Sequence, residues 1–392
     1  MRLGSGFEQE LAELHDQLIA WRRDFHAHPE LGMREHRSAG IIATVLRELG
    51  YDVQTGVAET GVVGLLAGAR PGPVVMARFD MDALPIQEEN QADYASCNPG
   101  VMHACGHDAH MTIGLGLATL MARRRDELAG TLKLVFQPGE EGMDGARRMV
   151  EAGVLENPRP NVFLSTHVWS DTAAGMVDVT PGPVMAAADT WECKVVGKGG
   201  HGAMPHQTID PVVAAAQIVT ALQSIVSRNV SPLDTAVVTV GTIHGGDAFN
   251  IVPTEVSMTG TVRSYDASVR EAVVRRMREV IEGVAAAMGV SVQFEVTALT
   301  SALVNDEAVT AVVREAAETA LGRERVLSGR RTMGSEDAAE FMRSVPGCYF
   351  FIGSTNTERG LTGPHHNPHF DIDEAVLPIG VAVLARAVAH YL

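Results

Sequence analysis

The 392-residue sequence predicts an α/β protein interrupted by a smaller α+β domain. Three observations predict it. Helical and apolar-strand patterns alternate from residue 7 to about 180, the order between about 188 and 300 changes to β-α-β-β-α-β, and the first rhythm returns after about 301. Alternation implies a sheet with helices on its faces, and the middle order is that of the ferredoxin-like split unit. The length suits two domains, at roughly 100–200 residues each. The expected division is 1–187 with 301–392 for the first domain and 188–300 for the second.

In chain order, Phe7–His28 and Ser38–Leu49 have helical spacing, and Gly61–Leu66 and Val74–Phe79 read as buried strands. The helix His110–Arg125 precedes the strand Thr131–Phe136, and Val162–Val168 is a further apolar strand carrying His167 near its end. In the middle region Thr190–Val196, Thr235–Ile243, Val256–Ser264 and Val290–Val296 read as strands, and Asp210–Ser227 and Asp266–Met288 as helices. Glu307–Leu321, Cys348–Ile352 and Glu374–Tyr391 then give helix, strand and closing helix. There are no internal repeats and no low-complexity segments.

Acidic residues outnumber basic ones by 48 to 31, a net charge of −17 that repels polyanions and argues against nucleic acid or an anionic membrane as a partner. An anionic small molecule has to meet a local exception. The N-terminal stretch up to Glu30 interleaves apolar and charged residues, so no leader is expected. No window approaches the roughly 20 continuous apolar residues of a membrane helix, and a soluble protein is expected. Four cysteines without a CxxC pair point away from a disulfide framework and toward a reducing cytoplasm, which leaves thiols available to metal.

Val101–Met111 reads VMHACGHDAHM, placing His103, Cys105, His107 and His110 within eight residues just before a helix. A lone histidine is more often packed or on the surface. Four soft or borderline donors in one glycine-containing turn suit zinc, cobalt, nickel or manganese, and a deprotonated cysteine can bridge two cations. Cys105 and His107, one glycine apart, are the stronger ligand candidates, and His103 and His110 the candidates for support. FQPGEEG, Phe136–Gly142, sets Glu140 and Glu141 directly after a strand. Such a pair is usually a solvated surface feature, but here the strand and the flanking glycines argue for a fixed inward turn. Adjacent residues there can face different ways, one toward metal and one toward a water proton, as metal-assisted hydrolysis requires. His167 and the C-terminal GPHHNPHFDIDE, with His365, His366 and His369, complete a set of five or six ligands.

With these residues the sequence resembles the M20 metallopeptidase superfamily, in particular its amidohydrolase branch of hippurate hydrolase, plant auxin-conjugate amidohydrolases and N-acetyl-diaminopimelate deacetylases. The resemblance covers nearly the whole chain. It is carried, in the family's order, by RRDFHAHPELGMRE, RFDMDALPIQE, VMHACGHDAHM, FQPGEEG, GKGGHGAMPH, FNIVP, TVRS, MGSEDAAEF and HNPHFDIDE. It implies a di-metal α/β domain interrupted by a βαββαβ lid, and hydrolysis of N-acyl amino acids to a carboxylic acid and an amino acid. By matched position it makes Cys105 the bridging ligand, where most of the superfamily has aspartate. His107 and His167 would hold one divalent ion, Glu141 and His366 the other, and Glu140 would be the general base. His366 is preferred over His365 because it directly precedes Asn-Pro.

Asp80 stands where much of the superfamily has a metal-binding histidine, and with Asp82 it is assigned supporting hydrogen bonds. GKGGHGAMPH lacks the spacing of a phosphate loop. The resemblance makes its His201 the donor that polarises the scissile carbonyl, with Asn250 and Arg263 available to the substrate carboxylate, which a guanidinium can grip bidentately. It also implies a homodimer through residues 188–300, with His201 acting in cis or in trans. Two other functions compete: a carboxypeptidase or dipeptidase using the same metals, and a binding protein on an inactive scaffold, against which the presence of Glu140, Cys105 and Glu141 counts. The acyl group and the metal are left open.

Overall fold

The structure is a computed structural model that describes residues 6–392; residues 1–5, where the stretch read for a leader begins, lie outside the described residues. The chain forms two compact units. The larger runs up to Gly182 and resumes over Val304–Arg330 and Asp337–Leu392, while the second comprises Pro183–Leu303 and Arg331–Glu336.

The larger unit is built on an eight-stranded sheet in the order Asp52–Val57, Gly61–Ala67, Ala129–Gln137, Arg70–Asp80, Val162–Ala173, Gly347–Thr355, Val177–Asp178, Val326–Leu327. Four adjacent central strands, from Ala129–Gln137 to Gly347–Thr355, are mutually parallel. Their near-continuous burial fits a sheet covered on both faces. The helix His107–Arg123, almost wholly buried, packs on Arg70–Asp80 and against Leu377–Tyr391 and His15–Ala27. Parallel strands end at one edge of the sheet, where ligands collect. Asp80 pairs with Gln137, and the register of Arg78 with Ser165 sets His167 level with Asp80.

Within the elements of the larger unit, the structure departs from the sequence reading in three places. The helix expected over 7–28 divides into Phe7–Glu13 and His15–Ala27. At the junction the Leu14 N–H bonds back to Leu11, a tighter turn that lets Leu11, Leu14 and Leu18 all reach the core. The helix expected from His110 begins at His107, because Gly106, with φ +87°, turns the chain into it three residues earlier. The closing segment Glu374–Tyr391, 18 residues of mean hydropathy 1.3, is long and apolar enough to cross a membrane by composition, more than the sequence reading allows. Most of its apolar residues are buried within the larger unit, against His107–Arg123 and Glu307–Leu321.

The second unit holds an antiparallel sheet in the order Ala236–His244, Glu255–Ser264, Ala187–Val196, Ser291–Thr300. The helices Pro211–Arg228 and Ala267–Met288 share a core with it, including Trp191, Ile218, Leu222, Met277 and Ile281. Both helices start on an aspartate, Asp210 and Asp266, whose side chain accepts two N–H groups of the first turn. Residues 331–336 join this unit through Thr332 N–H to Val184 O at 2.9 Å and Ala186 N–H to Gly334 O at 2.8 Å.

Candidate active site

The loops at the carboxyl edge of the parallel strands bring Cys105, His107, Glu140, Glu141, His167 and His366 together. Ligand atoms of Cys105, His107 and His167 lie within 4.8 Å of one another, as do those of Cys105, Glu141 and His366, and those of His107, Glu140 and Glu141. Cys105 is common to the first two sets.

Local structure aims each donor. Gly106 separates Cys105 from His107, and a Cβ there would stand 2.3 Å from Val168 Cγ2, so only glycine fits this approach of loop to strand. His107 Nδ1 donates to the Asp82 carbonyl at 2.8 Å, which turns Nε2 toward the cluster, where it is buried with no hydrogen-bond partner among the described residues. His167 Nδ1 likewise donates to the Val168 carbonyl at 2.5 Å, and its Nε2 lies 3.5 Å from Cys105 Sγ. His366 holds φ at +60°, a strained value for a non-glycine residue, while its N–H bonds to Ala104 O at 2.8 Å. Its Nε2 lies 3.1 Å from Glu141 Oε1, an ion pair that raises the imidazole above its usual value. Strain of this kind persists where the surroundings over-determine it.

The carboxylates Asp80 and Asp82 support these donors. Asp80 bonds Arg78 at 2.8 Å and His110 at 2.5 Å. Burial works against its charge, but His107, His110 and Arg78 outweigh burial and hold its carboxyl well below the usual range. Asp82 Oδ2 accepts the Glu141 N–H at 2.9 Å. His110 has both nitrogens engaged, by Asp80 and by the Val168 N–H at 3.0 Å, and His365 likewise by Ser170 Oγ at 2.7 Å and Val168 O at 3.0 Å. Neither has a nitrogen to offer a metal. His103 is buried with no hydrogen bond at either nitrogen, and burial pulls its pKa down to about 4.

The electrostatics of the cluster favour cations. Burial pushes the Cys105 thiol well above its usual value, and Glu141 adds to the effect. At His107 burial opposes protonation, but Asp80 and Cys105 outweigh it and raise the imidazole well above its usual value. His107 Nε2 and Glu141 Oε1, buried beside a thiol and further imidazoles, form a donor set that fits borderline divalent ions.

Residues 76–390 match the model of peptidase family M20/M25/M40. The chain belongs to this family. Curated relatives include an N-acyl-L-amino acid amidohydrolase of Geobacillus stearothermophilus, 45% identical over 283 residues, which span 72% of this chain and 76% of the relative. Thermostable carboxypeptidase 1 of Saccharolobus solfataricus is 37% identical over 397 aligned residues, 100% of this chain and 98% of the relative. Among solved structures, the YXEP protein of Bacillus subtilis, a dinuclear metal binding peptidase from the M20 family, superposes with a TM-score of 0.86 at 34% identity, covering 97% of this chain and 99% of that one. This M20 chain is a metal-dependent hydrolase of amides.

The three remaining sequence candidates of the M20 chain lie in its second unit. His201 sits in the short strand Gly200–His201, paired with Ile251–Val252, and its Nδ1 accepts the Ala203 N–H at 3.0 Å. That bond puts the neutral ring's proton on Nε2, on an exposed side chain. Asn250, also exposed, is adjacent through its carbonyl, which accepts the Gly202 N–H at 2.8 Å. Arg263, on Glu255–Ser264, is half-buried, and its Nη1 has no hydrogen-bond partner among the described residues.

Sequence reasoning assigned no role to several residues that hold the cluster. Asp337 accepts two bonds from the Gln137 amide, at 2.7 and 2.9 Å, one from Arg78 at 3.1 Å, and the Ala146 N–H at 2.9 Å. Glu35 bonds the glutamate loop at Gly139. Their signal was their place in the shared motifs MGSEDAAEF and RRDFHAHPELGMRE.

Proposed function

We propose that this M20 hydrolase cleaves N-acyl amino acids at the amide bond, releasing a carboxylic acid and an amino acid. The observation that carries the proposal is the pair of donor triads sharing Cys105, with Glu140 beside them. In this reading His107 and His167 would hold one divalent ion and Glu141 and His366 the other, with Cys105 available to both. When bound, the two ions, of zinc, manganese, cobalt or nickel, supply Lewis acidity to the amide carbonyl and acidify a water molecule. Glu140 takes a proton from the attacking water, whose oxygen joins the acyl carbon, and returns it to the amine as the C–N bond breaks. Asp82 keeps His107 in the tautomer that presents Nε2 and holds the backbone of Glu141. Asp80 occupies His110 Nδ1 and so keeps that ring out of the ligand set.

His201 takes the part of the donor to the scissile carbonyl, which its Nε2 proton suits. Asn250 and Arg263 read the substrate carboxylate, a charge-assisted contact worth about 1.5–3 kcal/mol. We assign the second unit the role of a ferredoxin-like lid through which two copies associate. Its edge strand Ala236–His244 exposes Val237 and Ile243, and Phe249 nearby is fully exposed, features that a second copy would cover. The four unbonded cysteines accord with a cytoplasmic location.

The test is product release from a panel of benzoyl, acetyl and indole-acyl amino acids and dipeptides, on protein of measured metal content. N-acyl amino acids should be the fastest substrates. Faster cleavage of the dipeptides would replace this reading by the carboxypeptidase one, which the likeness to thermostable carboxypeptidase 1 supports.

A further inference from the structure

Glu35 is fully buried and has no part in the reaction drawn above. Its two oxygens tie together separate pieces of chain. Oε1 accepts the Gly139 N–H at 2.9 Å, and Oε2 accepts the hydroxyl of Thr60, itself buried, at 2.5 Å. Burial pushes the carboxyl pKa upward, against the hydrogen bond from Thr60.

Gly139 immediately precedes Glu140. It has φ +59°, Gly142 has φ +75°, and glycines at such positions give the loop little stiffness of its own. The loop's own bonds engage carbonyls, Gly142 N–H to Glu140 O at 2.7 Å and Gly145 N–H to Gly139 O at 3.1 Å, while the Gly139 and Glu141 amides are held from outside. The residue after Glu140 is anchored too, because Asp82 Oδ2 accepts the Glu141 N–H at 2.9 Å. Glu140 therefore sits between two backbone amides, each donating to a buried carboxylate that reaches it from elsewhere in the chain. Asp82 Oδ1 also lies 3.3 Å from His107 Nδ1, so replacing that side chain would disturb a ligand. Glu35 touches none of the ligand side chains among its hydrogen bonds, which makes it the anchor whose effect can be separated from metal binding.

We propose that Glu35 is a positioning residue for the general base: by holding the Gly139 amide it fixes the orientation of Glu140 for proton transfer. This rests on the reading of Glu140 as the base. Loss of the anchor lets the glycine-flanked loop turn, and a catalytic group displaced by about 1 Å loses on the order of 10²-fold in rate. The loss falls on kcat. KM and metal content stay near wild type.

The experiment compares Glu35→Gln, Glu35→Ala, Thr60→Val and Glu140→Gln for kcat, KM, divalent-ion stoichiometry and hydrogen exchange of the Gly139 amide in metal-free protein. In Glu35→Gln the amide oxygen still accepts from Gly139 and the NH₂ donates to the Thr60 hydroxyl. It should keep kcat and the protection of Gly139. Glu35→Ala should lose roughly 10²-fold in kcat and expose Gly139 to exchange, with KM and stoichiometry held. Wild-type kcat in a folded Glu35→Ala protein would reduce Glu35 to a packing residue and overturn the proposal. A Glu35→Gln protein as poor as the alanine variant would overturn it as well, since charge and not the anchor would then matter. If Glu35→Ala does not fold, Thr60→Val decides: faster Gly139 exchange with lower kcat supports the proposal, and no change in either overturns it. Normal turnover in Glu140→Gln would show that the base reading itself is wrong, and the proposal falls with it whatever the Glu35 variants do.

Discussion

Cys105 Sγ stands 3.5 Å from His167 Nε2, joining residues 62 positions apart in the chain. The same thiol belongs with Glu141 and His366 to a second donor set. Purified protein is accordingly expected to bind two divalent ions per chain and to lose activity with a strong chelator. Cys105→Ala should bind fewer than two and turn over far more slowly. Elemental analysis beside the release assay checks this, and full activity in rigorously metal-free protein would refute the mechanism.

Gly106→Ala places a methyl group 2.3 Å from Val168 Cγ2 on a backbone at φ +87°. The left-handed penalty and the overlap together should cost about 2–4 kcal/mol in denaturant unfolding. Because Cys105 and His107 flank the site, metal affinity should fall as well. A variant with wild-type stability and affinity would show that the loop has room the structure denies it.

A pH dependence is expected from Glu88 and His26, whose Oε1 and Nε2 lie 3.2 Å apart. Burial opposes the charge on Glu88, but His26 outweighs it and holds the carboxyl below its usual range. Burial and Arg22 oppose the charge on His26, but Asp108 and Glu88 raise it above the usual imidazole value. Glu88 thus contributes stability above its unfolded pKa of about 4.3, lost as pH falls through its lower folded value. His26 contributes below about 6.5, and that part is lost as pH rises through its raised value. Both act together between about pH 4.3 and 6.5, so Glu88→Gln should destabilise most in that window. Urea unfolding from pH 4 to 8 measures it; a uniform loss at every pH would mean the pair is not charged.

In the second unit, Arg270 grips the buried Asp189 bidentately, at 2.6 and 2.5 Å. Arg270→Ala strands that carboxylate. Since the guanidinium is a third exposed, the cost should lie toward the low end for a broken buried pair, about 2–3 kcal/mol. Adding Asp189→Ala should recover part of it, and strictly additive losses in the double-mutant cycle would deny the coupling.

Mixing inactive chains tests whether His201 serves its own site. If it acts in trans, a heterodimer of Glu140→Gln and His201→Ala chains has one doubly damaged site and one intact site. Random re-pairing makes about half the dimers mixed, so about a quarter of all sites regain activity. No recovery after verified exchange would establish action in cis.

The chemistry of the cluster was legible where it is local. Cys105 and His107 are two residues apart and Glu140 and Glu141 adjacent, so their donor types stood out in one short reading. His167 and His366 carry no such mark; they stood among several histidines that could complete the ligand set, and the resemblance chose His366 over His365. Residues that hold the cluster were harder to see, because their partners are remote: Arg78 meets Asp337 across 259 positions, and Arg22 meets Asp371 across 349. Periodicity reports which face of an element is buried and says nothing about which distant carboxylate closes a network. The return of residues 331–336 to the second unit escaped for the same reason, being made by two backbone hydrogen bonds that no side-chain pattern announces.

The sheet order has a consequence for how the protein is made. The strand Gly347–Thr355 lies beside Val162–Ala173, yet it leaves the ribosome some 180 residues later, after the whole intervening unit. All four main strands of that unit are consecutive in the chain, so it can fold as it emerges. The older half of the large sheet meanwhile waits with an apolar edge and unpaired amides, an open template for another nascent chain. A chain stopped anywhere before residue 347 should aggregate through that edge, and the period between the two strands is when the growing protein most needs a chaperone.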